Sequence, residues 1–173
     1  LEMPAPKPVA LADGEIAWSR KGAMLVLYER ELGDAPLAGD LVALRSAGQK
    51  LGDIHQTPLN LFGLSYTPFG AIVERTRRDA LKRGLSSDLP QLPIASDSGQ
   101  KSLLHGDYRG QNVLFTDGTI SCVLDWDDAV VGPRLFDLAY GALFFQAVIK
   151  DDPPSEAEIK AFLGGYHDTY PLT

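Results

Sequence analysis

Two spacings of apolar residues alternate along this chain. Runs with a period of two stand at Glu15–Ser19 and Ala23–Tyr28, joined through Arg20-Lys21-Gly22, and again at Val113–Phe115 and Ile120–Leu124, joined through Thr116-Asp117-Gly118-Thr119. Each pair reads as a β-hairpin. Asp-Gly between alternating apolar runs is a strong short-range signal, because those residues tolerate the positive φ of a tight turn. Between the hairpins the period changes to the helical one: Leu37, Leu41, Leu44, Leu51 and Ile54 predict one amphipathic helix over Leu37–Gln56, with His55 near its end. A second helix is expected over Pro68–Arg83, with Thr67 as cap, proline at the first position and Gly84 after the last turn. Its basic run of Arg75, Arg77, Arg78, Lys82 and Arg83 reads as a solvated face. Leu85–Gln100 is a loop, and two further helices are expected over Arg134–Lys150 and Ser155–Tyr170, the latter opened by a Ser155-x-x-Glu158 capping box. Phe136, Leu138, Tyr140, Leu143, Phe144 and Phe145 are core residues by default, and residues 1–13, rich in Pro and Ala, form an extended arm.

With 173 residues, 45% of them hydrophobic, the chain can bury one sizeable core. A net charge of -7 argues against a nucleic-acid or anionic-membrane partner, since both need a basic face to neutralise phosphates. It excludes nothing about a nucleotide, which a metal ion and a few local cations can hold. The lone Cys122 can form no internal disulfide and fits a reducing cytoplasm. No apolar run approaches the length of a bilayer span, and the N-terminus lacks the basic and apolar regions of a signal peptide.

The chemistry is concentrated in Leu103–Asp128, LLHGDYRGQNVLFTDGTISCVLDWDD. His105, Asp107 and Asn112 stand in the order H-x-D-x-x-x-x-N, and Asp125 follows the Asp-Gly hairpin, the order of a phosphoryl-transfer catalytic loop and its metal-binding aspartate. Folding the hairpin back would bring Asp125 beside Asn112. Moving a phosphoryl group needs positioning and charge neutralisation more than covalent help, and these oxygen-bearing side chains suit it. Asp107 can accept the acceptor hydroxyl's proton. Asn112 and Asp125 offer hard oxygens of the kind Mg²⁺ prefers.

Gly106 in the motif, the run Asp125-Trp126-Asp127 and the continuation GPRLFDLAYGALFF at Gly132–Phe145 resemble the aminoglycoside phosphotransferase and choline kinase group of small-molecule kinases. The resemblance implies an α+β, protein-kinase-like fold: a helical C-terminal lobe at 34–173 with a catalytic hairpin, and at 1–33 a remnant of the N-terminal lobe, its last hairpin and hinge. It implies a phosphotransferase that moves the γ-phosphoryl group of ATP or GTP, with Mg²⁺, to a hydroxyl of an aminoglycoside-like antibiotic, choline, homoserine or a sugar. Asp107 would be the base with His105 beside it as scaffold. Asn112 and Asp125 would hold the metal, with Asp127 an additional metal contact or a surface carboxylate. Backbone groups at Glu29, Arg30 and Glu31 would meet the adenine, Trp126 would pack, and Asp137 would tie a helix start to the catalytic segment. His55 reads as structural, with no paired acid at suggestive spacing. The family's phosphate-contacting strand lysine has no counterpart here, since Lys21 falls in a turn, and the chain reads as a fragment whose activity depends on the rest of the lobe. Two other classes stay open: a noncatalytic binding module derived from the fold, and a metal-dependent hydrolase built on His105, Asp107, Asp125 and Asp127.

Overall fold

The computed structural model describes residues 4–59, 101–146, 149 and 152–172. The helix expected at Pro68–Arg83 and the loop expected at Leu85–Gln100 lie outside the described residues. The elements in order are β1 (Trp18–Arg20), β2 (Ala23–Leu25), α1 (Leu41–His55), β3 (Lys101–Leu104), β4 (Val113–Thr116), β5 (Thr119–Val123), β6 (Val130–Pro133), α2 (Leu135–Phe144) and α3 (Glu156–Thr169). The strands form three antiparallel pairs, β1 with β2, β3 with β6 and β4 with β5. No helix among the described residues is long and apolar enough to cross a membrane.

Both expected hairpins form, each on a two-residue turn with positive φ. Lys21 and Gly22 have φ of 52° and 82°, and Asp117 and Gly118 have 52° and 73°, the conformation whose twist matches paired strands. Lys21 therefore does sit in a turn. In the second hairpin, Leu114 pairs with Cys122 and Phe115 with Ile120, so Ser121 is an extra, bulged residue. Its hydroxyl bonds the Leu32 carbonyl at 3.1 Å, and Asp34 and Phe115 exchange two backbone bonds of 2.9 Å each. The chain leaving the first hairpin is thereby sewn to the second. Of the arm expected at residues 1–13, the described part runs beside the end of the first hairpin, where the Val9 amide donates to the Leu27 carbonyl and the Glu29 amide to the Lys7 carbonyl, before a turn at residues 12–13.

The first long helix is shorter than its periodicity suggested. It starts after Asp40, whose Oδ1 accepts from the amides of Val42 and Ala43 at 2.9 and 3.0 Å. Leu37, counted in the apolar stripe, is 76% exposed and lies before the cap. Its carbonyl instead takes the buried Gln146 side chain, which also accepts from the Gly39 amide. The buried face runs through Leu44, Ala47, Leu51 and Ile54 onto Phe162 and Tyr166 of α3. The two helices approach so closely that a Cβ on Gly48 would overlap the Phe162 carbonyl and one on Gly165 the Arg45 carbonyl. Glycine costs helix propensity at both positions, and the close seam is what it permits.

α3 begins as the sequence predicted, with Ser155 Oγ accepting from the Glu158 amide at 3.3 Å and the Glu158 carboxylate accepting from the Ser155 amide at 2.7 Å. Ser155→Ala removes one half of this box and should cost about 1 kcal/mol. Equilibrium urea unfolding reads that loss, and a midpoint equal to the parent's would refute the cap's contribution.

α2 departs from expectation on burial. Leu138 and Phe145 are core, but Phe136, Leu143 and Phe144 are 40%, 47% and 45% exposed and Tyr140 is half-buried. The spacing of Phe136, Tyr140 and Phe144 puts three rings on one helix face. That face lies over the catalytic loop instead of in the core. β6 was not foreseen either: Gly132 pairs with Ser102 and Pro133 with Lys101 of β3.

Candidate active site

The loop between β3 and β4 is held from below by one buried carboxylate. Asp137 Oδ2 accepts from the His105 amide at 2.5 Å and Oδ1 from the Gly106 amide at 3.0 Å, so the helix start is tied to the catalytic segment as anticipated. His55 Nε2 stands 3.4 Å from the same carboxylate, and its Nδ1 is 2.9 Å from the Tyr166 hydroxyl. The reading of His55 as structural holds, but it does have a paired acid. That partner lies 82 positions away, beyond any local spacing rule.

Gly106 has a φ of 86°, and a Cβ there would overlap the Asp128 carbonyl. Only glycine lets the loop pass beneath the segment that follows Asp125. His105 is fully buried and spends both ring nitrogens: Nδ1 accepts from the Asp107 amide at 3.2 Å, which leaves Nε2–H to donate to the Leu124 carbonyl at 2.9 Å. The partners assign the tautomer. Such a histidine is a strut, with no nitrogen left to act as base.

Leu124 is gripped from both sides. Its carbonyl takes His105, and its amide donates to the Asn112 carbonyl at 2.7 Å. The next residue, Asp125, has φ of 60°, a left-handed conformation that costs a non-glycine residue on the order of 1 kcal/mol or more. The turn leaves Asp125 exposed, one residue beyond the Leu124 that is bonded to Asn112. Trp126 packs, as expected: its ring lies 4.7 Å from that of His105 and its Nε1 donates to the Val123 carbonyl at 2.8 Å. Asp127 is exposed.

Asn112 turns its amide nitrogen to Asp107, 3.0 Å from the backbone carbonyl and 3.1 Å from Oδ2, so its amide oxygen points away from that residue. Asp107 also takes Arg109 Nη2 at 2.9 Å on Oδ2 and the Tyr140 hydroxyl at 2.6 Å on Oδ1. Neither Arg109 nor Tyr140 was singled out from the sequence. A signal existed for Tyr140, because it stands three positions after Asp137 on one helix and so shares its face.

The proposed hinge residues lead into Leu32 and Asp34, which are bonded to the second hairpin. Glu29 and Arg30 are exposed, Glu31 is half-buried, and the Glu29 amide is already bonded to the Lys7 carbonyl at 3.1 Å. Burial, and secondarily the charge of Glu31, pushes the Cys122 thiol up to about 11, so it is protonated near neutrality and a poor nucleophile. Burial likewise raises Tyr108, whose hydroxyl donates to the Ala47 carbonyl at 2.9 Å beneath the loop.

Among the described residues no three His, Cys, Asp or Glu side chains gather at metal-binding spacing. The hydrolase reading needs such a cluster. The exposed Asp125 carboxylate and the Asn112 amide oxygen that is turned away from Asp107 are hard donors of the kind a cation that keeps waters and phosphates as further ligands would take.

The architecture is the protein-kinase-like α+β fold, and it is similar to that of an amicoumacin kinase, hAmiN, solved with AMP-PNP, Ca2+ and Ami: TM-score 0.67, 22% identity, 99% of this chain and 58% of that one. The chain belongs to the phosphotransferase enzyme family APH, whose family model matches residues 1–172. Homoserine kinase of Gluconacetobacter diazotrophicus is 28% identical over 188 residues, covering 97% of this chain and 56% of that protein. Acyl-CoA dehydrogenase family member 11 of Gallus gallus is 36% identical over 67 residues, 38% of this chain and 8% of that protein. The chain thus spans little more than half of the kinase it matches and a small part of the dehydrogenase-family protein.

Proposed function

We propose that this chain is the catalytic lobe of a kinase that transfers the γ-phosphoryl group of a nucleoside triphosphate, ATP in the first instance, to a hydroxyl of a small molecule. The observation that carries this reading is the unbroken set of bonds from Asp107 through Asn112 to Leu124, which holds base, amide and the aspartate after Leu124 at one edge of the domain. Membership of the APH family and the homoserine kinase relative support it.

In this reading the acceptor oxygen attacks the γ-phosphorus and its proton passes to the Asp107 carboxylate. The bond to the β,γ-bridging oxygen breaks, and nucleoside diphosphate leaves. Asn112 orients Asp107 and, with Asp125, would hold Mg²⁺, which supplies charge neutralisation of the phosphate oxygens; Asp127 is a further carboxylate within the same segment. His105 keeps Leu124, and through it Asp125, in place. The backbone of Arg30 and Glu31 is left to meet the adenine, since the Glu29 amide is bonded within the chain. A reducing cytoplasm suits the free, buried Cys122.

The test is phosphoryl transfer by the full-length protein, with Mg²⁺ and ATP, to homoserine, choline and kanamycin. Transfer to one of the three, together with thermal stabilisation by Mg²⁺ and ATP, supports the kinase. Stabilisation without transfer favours a binding module, and the absence of both transfer and stabilisation would overturn both readings. Asp125→Ala is expected to weaken Mg²⁺-dependent ATP binding roughly ten- to a hundred-fold, the loss of one charge-assisted contact. Isothermal titration with and without Mg²⁺ measures it, and equal affinities in parent and variant would remove Asp125 from the site.

A further inference from the structure

The two oxygens of the Asp107 carboxylate are held differently. Oδ2 takes two donors, Arg109 Nη2 at 2.9 Å and Asn112 Nδ2 at 3.1 Å. Oδ1 takes one, the Tyr140 hydroxyl at 2.6 Å. A carboxylate oxygen has about two lone-pair sites, so among the described residues Oδ2 is filled and Oδ1 retains a vacancy. We propose that Tyr140 is a positioning residue for the phosphoryl transfer set out above, fixing Asp107 so that the remaining lone pair of Oδ1 receives the acceptor hydroxyl. The inference rests on that reading of the chain as a kinase.

Tyr140 is built to hold one orientation. Its ring lies between those of Phe136 and Phe144, one helical turn to either side, with centroids 6.4 and 5.0 Å away. α2 is itself anchored to the catalytic loop, because Asp137 on the same face accepts from the His105 and Gly106 amides. One helix face therefore sets both the backbone of the loop and the angle of its carboxylate. The Tyr140–Asp107 distance is that of a charge-assisted O–H···O⁻ bond, shorter and stronger than a neutral one. Burial first, and then the bond to Asp107, pushes the Tyr140 phenol up to about 12. It stays a donor near neutrality and does not compete with Asp107 as base. A tyrosine present only to fill the core would be enclosed, whereas this one is half-buried with its hydroxyl at the base.

The test is Tyr140→Phe in the full-length protein, with Mg²⁺, ATP and whichever of homoserine, choline and kanamycin the parent phosphorylates fastest. The ring and its stacking are retained, so the melting temperature and the KM for ATP should stay at parental values. kcat should fall roughly ten- to a hundred-fold, the scale on which a misplaced reacting group costs rate. In an Asp107→Asn background the same substitution should cost nothing more, because residues that act as a unit are not additive. A parental kcat in Tyr140→Phe, or a loss of equal size in both backgrounds, overturns the inference and leaves the kinase reading standing. A parent protein that phosphorylates none of the three acceptors overturns both.

Discussion

Asp107→Asn in the full-length protein should abolish most phosphoryl transfer while leaving Mg²⁺-dependent ATP binding nearly intact. The side chain keeps its size, so the effect comes from what it presents. Arg109 and Asn112 both donate toward Oδ2, which obliges the new amide to turn its oxygen to them. Its NH₂ group then occupies the Oδ1 position, a donor where the acceptor hydroxyl needs somewhere to leave its proton. General-base contributions run to about 10²- to 10⁴-fold, so the rate loss should be plain in initial velocities. Asn112 and Asp125 are unaltered, and nucleotide titrations should overlay those of the parent. Full turnover in the variant, or an equal loss of rate and of ATP affinity, would mean that Asp107 is not the base.

Asp137→Ala should produce the largest loss of stability available from a single polar side chain here. The carboxylate is fully buried, accepts from two backbone amides and stands beside the buried His55. Removing it strands both amides and the imidazole in the interior, where no water replaces the lost acceptor. Losing one partner of a buried, hydrogen-bonded charge costs about 3–5 kcal/mol, so chemical denaturation should show a sharply lower midpoint. The loop carrying His105 and Asp107 would lose its anchor in the same step. A midpoint within error of the parent's would show that the bonds to His105 and Gly106 contribute little.

What was legible in the sequence was local. The Asp-Gly hairpin rests on two adjacent φ angles, the Ser155 cap on a four-residue box, and the Asp107 to Asn112 spacing on one tight loop. Each is decided by neighbours along the chain. The features that were missed were decided largely by distant residues. The acid beside His55 comes from another helix, β6 exists only through pairing with β3, and Gln146 reaches across to Leu37 and Gly39 ahead of α1, whereas the Asp40 cap was a local signal left unused. The rings of α2 were counted as core because hydrophobicity alone favours burial, yet Phe136 and Phe144 stay 40% and 45% exposed. Tyr140 could have been drawn from its spacing to Asp137, since the resemblance already implied that Asp137 faces the loop.

The glycine-lined seam between α1 and α3 joins parts of the chain that are made far apart in time, with His55 and Tyr166 separated by 111 positions. α1 is made before α3, and the part of its buried side that packs on Phe162 and Tyr166 has no native cover until that helix follows. Such long-range closure slows folding and leaves apolar surface open to wrong partners meanwhile. A ribosome stalled before Ser155, or a protease that trims α3, would therefore release a chain with Leu103–Asp128 intact and the side of α1 that meets Phe162 and Tyr166 bare, a natural target for chaperones and degradation.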